Sequence, residues 1–167
     1  MTHSKIGVDA PRIVLQKRDL SLLHALSKIP IADRDQVSAL VPFGSVSRTN
    51  RRLLALVRSG YISRGLVGGR SNARKSIYCL SRKGAQAIHL ETWRSIPPEI
   101  FRKHELSVTE FYLAALVAAK KDGRLDYLSW IAPTSPISKS IFLVPDGYFG
   151  LKTNESTEAC FIEIDRG

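Results

Sequence analysis

The chain has 167 residues, 44% of them apolar, and a net charge of +10. That is one ordinary domain or two small ones with enough apolar residues for a core. No run of about 18 apolar residues exists, which excludes a membrane-spanning helix, and the polar N-terminus has no secretory h-region.

The charge is uneven. Residues 1–90 hold 16 Lys/Arg and 4 Asp/Glu, net +12, whereas residues 91–167 hold 9 and 11, net −2. A basic half joined to a near-neutral half suggests a nucleic-acid-facing module with an attached second unit. The two cysteines, Cys79 and Cys160, lie in apolar, strand-like runs and read as reduced thiols of a cytoplasmic protein.

Residues 1–11 are polar, end at Pro11 and read as a loose arm. Helical spacing begins at Arg18 and stops near Ile29-Pro30. A shorter helix follows from Asp33, its N-cap, to Val41, ahead of Pro42. The third helix runs from about Ser45 to Ser59, with Gly60 as its natural C′ residue. The period then changes to two. Tyr61–Val67 reads as a strand, Gly68–Arg74 as a turn, and Lys75–Leu80 as the return strand. Ser81 caps a short helix reaching about Glu91. Three helices and a basic-tipped hairpin make the order of a winged helix-turn-helix over residues 12–92.

Pro97-Pro98 is the best domain boundary. Beyond it a long helix is expected over Glu99–Lys121, then strands at Leu125–Ile131, Ile141–Val144, Gly147–Leu151 and Ala159–Ile164. Pro133 to Ser140 reads as a loop. The fold class is therefore α+β: a winged helix-turn-helix followed, over 99–167, by a small α/β domain with a long helix and a short mixed sheet.

The third helix carries the functional argument. With Val46 at zero and about 100° per residue, Leu53, Leu54, Leu56 and Val57 fall within about 80° of it. Arg51, Arg48 and Arg52 fall on the opposite side with Ser47 and Ala55. One face is aliphatic and the other is arginine among small residues. Core packing needs only the first face, whereas a recognition helix also uses the second, since Arg reads guanine edges in the major groove. Ser45 or Ser47 at the helix N-terminus suits a phosphate. Arg64, Arg70, Arg74 and Lys75 lie at or near the hairpin tip, where a wing would touch backbone or minor groove.

This half resembles the winged helix-turn-helix of the replication-relaxation family, found on plasmids and other mobile elements. The stretches carrying the resemblance are Arg18–Leu23, Arg51–Leu56, Gly60–Arg64 and Ile77–Gly84. It continues through His104–Val108 and Pro145–Phe149 to Phe161–Gly167. It implies a double-stranded-DNA-binding protein of a mobile element, acting in transcription, replication or transfer.

Pro145-Asp146 followed by Glu163-Ile164-Asp165 looks like part of a PD-(D/E)xK nuclease site, which holds Mg²⁺ on carboxylates and needs a Lys two residues after the second acid. Asp146, Glu163, Asp165 and, from the long helix, Glu105 are the candidate ligands. Asp165 stands at the lysine position, Arg166 points to the other strand face, and the chain stops before the elements that would complete such a sheet. The domain is therefore read as truncated or degenerate. The favoured reading is a Pro-Asp-Gly turn and a decorated strand, with no catalytic residue, metal or cofactor. Mg²⁺ belongs only to the nuclease alternative, and a protein–protein adaptor is the third class. His3, His24, His89 and His104 have no metal-ligand spacing, and His104 reads as a packed, hydrogen-bonded histidine. The expected partner is double-stranded DNA, not a membrane, and the helix near 99–121 is the best candidate for a homodimer contact.

Overall fold

The computed structural model describes residues 13–68, 74–122, 125–133, 135–153 and 155–165. Three helices come first: α1 (Lys17–Lys28), α2 (Arg34–Leu40) and α3 (Val46–Arg58). Each begins on a local cap. Asp19 accepts the Gln16 N–H at 2.6 Å at the start of α1. The Asp33 carboxylate accepts the N–H groups of Asp35 and Gln36, and Gln36 accepts that of Asp33, which closes a capping box on α2. Ser45 Oγ accepts the Arg48 N–H on α3. At the other end of α3, Gly60 has φ +75°, and the N–H groups of Gly60 and Tyr61 bond the carbonyls of Val57 and Leu56. That is a Schellman stop, which requires the left-handed conformation glycine adopts without strain.

A hairpin follows, β2 (Ile62–Gly68) and β3 (Arg74–Leu80), paired from Ile62↔Leu80 to Gly68↔Arg74. A two-residue strand, β1 (Ala32–Asp33), pairs with β3 and makes a sheet of order β1-β3-β2. Its length leaves no periodic signal in the sequence. The helix capped by Ser81, α4 (Arg82–Ala87), ends before the expected Glu91, where His89 takes φ +58°.

The long helix α5 (Glu99–Lys121) has its expected limits. Strands β4 (Leu125–Ile131), β5 (Gly147–Thr153) and β6 (Thr157–Ile162) form a second sheet, order β4-β5-β6. The whole is α+β, five helices and two three-stranded sheets among the described residues. The second sheet is antiparallel throughout, not mixed. Parallel neighbours usually need a helical crossover, and no helix among the described residues lies between β4, β5 and β6, the last two being joined by only three residues. Ile141–Val144 is not a strand. Its loop folds back on itself, with the Ile137 N–H on the Leu143 carbonyl and the Ser138 N–H on that of Ile141, so the run pairs with its own turn and lies exposed.

One core runs through both halves. Leu22, Leu23, Leu26, Val37, Leu53, Leu56 and Leu80 continue into Val108, Tyr112 and Trp130. Polar ties follow the same path. Thr109 Oγ1 donates to the Ile31 carbonyl at 2.6 Å, Gln36 to that of Leu106 and Arg102 to that of Leu66. α5 therefore braces α2, β1 and the hairpin strand β2.

Candidate nucleic-acid interface

The buried residues of α3 are Thr49, Leu53 and Leu56. Val46 and Leu54, expected in the aliphatic stripe, are 56% and 41% exposed. The helix is thus rolled by roughly 50° from the orientation that apolar residues alone suggest. Two polar anchors account for the roll. The Thr49 hydroxyl is buried, donating to the Ser45 carbonyl at 3.0 Å and lying 3.5 Å from Ser38 Oγ. Arg52 is turned inward to Asp19.

Arg52 Nε donates to Asp19 Oδ1 at 2.7 Å, its Nη2 meets Asp19 Oδ2, and the same nitrogen donates to the Val14 carbonyl. Asp19 is fully buried. The hydrogen bond to Asp19 raises the Arg52 pKa further. This corrects the expectation that Arg52 faces DNA: the wheel shows direction around one helix and cannot show a carboxylate arriving from another.

The outward stripe becomes Ser47, Asn50, Arg51, Leu54 and Arg58, with Arg48 on its flank, all exposed. Among the described residues the side chains of Ser47, Arg48, Asn50 and Arg51 have no hydrogen-bond or ion-pair partner. Ser45 is the N-cap. Asn50 did not figure among the expected contacts. The signal that could have found it is its four-residue spacing from Val46 and Leu54.

The hairpin stands beside this face. Arg64 Nε donates to Ser76 Oγ at 3.0 Å, Arg74 is exposed, and Lys75 Nζ lies 3.5 Å from Asp33 Oδ2. Arg70 falls outside the described residues. A cleft of about 300 Å³ runs between α3 and the hairpin, lined by Asn50, Leu54, Val57, Arg64, Ser76 and Tyr78. Asn50 also borders a neighbouring cleft with Arg74 and Lys75.

The four candidate metal ligands are not assembled. Asp146 precedes β5, and both its oxygens are engaged: Oδ1 with His104 Nε2 at 2.7 Å, Oδ2 with the Ile164 N–H at 2.7 Å. The Asp146 N–H bonds the Ile162 carbonyl, and there the β6 ladder ends. Glu163 and Asp165 therefore lie beyond the strand, both exposed and alternating with the half-buried Ile162 and Ile164 that pack on the core. Glu105 is half-buried beside Asp146, and burial pushes its carboxyl above the ordinary value against the pull of Arg94 and His104. Burial pulls the Arg94 guanidinium down, and that group donates to the carbonyls of Ala132 and Pro133. Among the described residues no three His, Cys, Asp or Glu side chains are grouped to hold a metal ion. The geometry makes Asp146 a tie between α5 and the end of β6 rather than an open ligand.

A family model described as replication-relaxation matches residues 23–167, and thus everything from mid-α1 onward. No curated protein and no solved structure matches the chain. No helix among the described residues is long and apolar enough to cross a membrane.

Proposed function

The chain belongs to the replication-relaxation family, and from that premise we propose that it binds double-stranded DNA through a winged helix-turn-helix over residues 12–92, in control of transcription, replication or transfer of a mobile element. The observation that carries this reading is the outward side of α3. Ser47, Arg48 and Arg51 are exposed there with no partner among the described residues, next to a hairpin bearing Arg64, Arg74 and Lys75. Arg51 and Arg48 enter the major groove, Ser45 and Ser47 meet a phosphate near the helix N-terminus, and the hairpin lies on the backbone. Arg52 holds the helix in place and makes no base contact.

The reading has no metal, cofactor or catalytic residue. It places the protein in the cytoplasm. A second copy would use the edge of α5 that the fold leaves open, where Ile100 and Phe101 are exposed. Titration of labelled duplexes at several salt concentrations tests the reading. The expected result is binding whose logarithm falls linearly with that of salt concentration. No binding at low salt, or binding indifferent to salt, would overturn it.

A further inference from the structure

We infer that Asn50 is a base-reading residue of α3, recognising the adenine edge of an A·T pair, with Leu54 against a neighbouring thymine methyl; this rests on the DNA-binding reading above. The polar groups of α3 divide cleanly. Ser45 Oγ caps the exposed start of the helix on the Arg48 N–H, while Thr49 and Arg52 are committed inside the protein, to the Ser45 carbonyl and to Asp19. Asn50 is not. It lies mid-helix on the outward stripe and borders both clefts beside the hairpin.

Helix formation gives no reason for an asparagine there, since Asn is among the weaker helix formers and Ala the best. Its carboxamide does hold a donor and an acceptor in one plane, the pattern that pairs with N7 and N6–H₂ of adenine in the major groove. The neighbours agree. Val46, Asn50 and Leu54 follow at four-residue spacing and so share one ridge, and both aliphatic side chains are exposed. An A·T pair also displays an apolar group in the major groove, the thymine methyl. Arg51, one residue further round, suits guanine. The ridge and the arginine together describe a site in which an A·T pair lies next to a G·C pair.

The test is selection of randomised duplexes by the full chain, wild type and Asn50→Ala. The wild type should return a motif with a fixed A·T position that becomes unspecified in the variant. The variant should lose roughly 5- to 150-fold in affinity for the selected site, with unchanged non-specific binding and unchanged or higher thermal stability. Placing 7-deazaadenine at that position should weaken the wild type equally and leave the variant unaffected. Uracil for thymine should do the same against Leu54→Ala. An identical motif from Asn50→Ala, or equal losses in both proteins on 7-deazaadenine, would overturn the inference while the DNA-binding reading stands. Failure of any duplex to bind would remove both.

Discussion

Arg52 of α3 and Asp19 of α1 meet through two nitrogens and two oxygens, across 33 residues of sequence, with the carboxylate wholly out of solvent. The pair fixes the roll of α3 about its axis, and that roll decides which residues face outward. Arg51, the adjacent residue, is exposed and has no partner among the described residues.

The two arginines should therefore behave oppositely. Arg52→Ala leaves a buried carboxylate uncompensated and is expected to cost about 3–5 kcal/mol of stability. Arg51→Ala should stay within about 0.5 kcal/mol in stability but lose about 1–3 kcal/mol of specific DNA binding. Urea denaturation beside duplex titration separates them. Equal stability of the two variants would refute the assignment.

The hairpin cations should act without regard to sequence. Arg64→Ala, Arg74→Ala and Lys75→Ala are each expected to lower affinity for all duplexes alike. Each should reduce the salt slope by about 0.9 for every phosphate left without its cation. Arg70→Ala should do the same. Fluorescence anisotropy at several salt concentrations reads the slope, and a weakening confined to one sequence would mean that the hairpin reads bases.

The limits of α3 were legible because they are local: Ser45 caps one end and Gly60 stops the other. Its orientation was not, because it depends on Asp19 and Ser38 arriving from other helices. An average over aliphatic residues pointed the stripe at Val46, and the folded chain buries Thr49 in its place. The same division holds further on. The span of α5 follows from Pro98 and a long helical period, whereas the end of β6 depends on the Asp146 carboxylate taking the Ile164 N–H. β1 was invisible because two residues carry no period.

The two thiols should react at different rates. Burial pushes Cys79 up to about 11, whereas Cys160 is half-exposed. A thiol reacts as its thiolate, so iodoacetamide at mildly alkaline pH should label Cys160 in the folded protein and Cys79 only past the unfolding midpoint. Peptide mass spectrometry reads both, and prompt labelling of Cys79 in native buffer would contradict the packing around β3.

Glu105 sets a pH dependence. Its folded carboxyl is raised above the ordinary 4.5, chiefly by burial. The folded state therefore holds this proton more tightly than the unfolded chain. The resulting stability is present below about pH 4.5 and lost as pH rises through the raised value. Glu105→Gln should flatten that part of the profile, narrowing the stability difference between acid and neutral pH. Urea melts of both proteins across that range decide it, and parallel profiles would exclude Glu105 as the source.

The last prediction concerns Asp146, the residue on which a nuclease reading depends. A carboxylate that holds a divalent cation needs lone pairs directed at open space and further oxygen ligands around the same point. Here one oxygen is taken by His104 and the other by the Ile164 N–H, while Glu163 and Asp165 lie exposed past the end of β6. Asp165 also puts negative charge where a lysine would offset charge building on the phosphate. Asp146→Ala should accordingly act on folding. It cuts the link between α5 and the end of β6 and leaves the Ile164 amide without its acceptor, a cost of about 1–3 kcal/mol. Supercoiled plasmid incubated with the wild type and Mg²⁺ or Mn²⁺ should stay supercoiled. Nicking that disappears in Asp146→Ala at a temperature where that variant is still folded would make Asp146 a metal ligand and overturn its structural assignment.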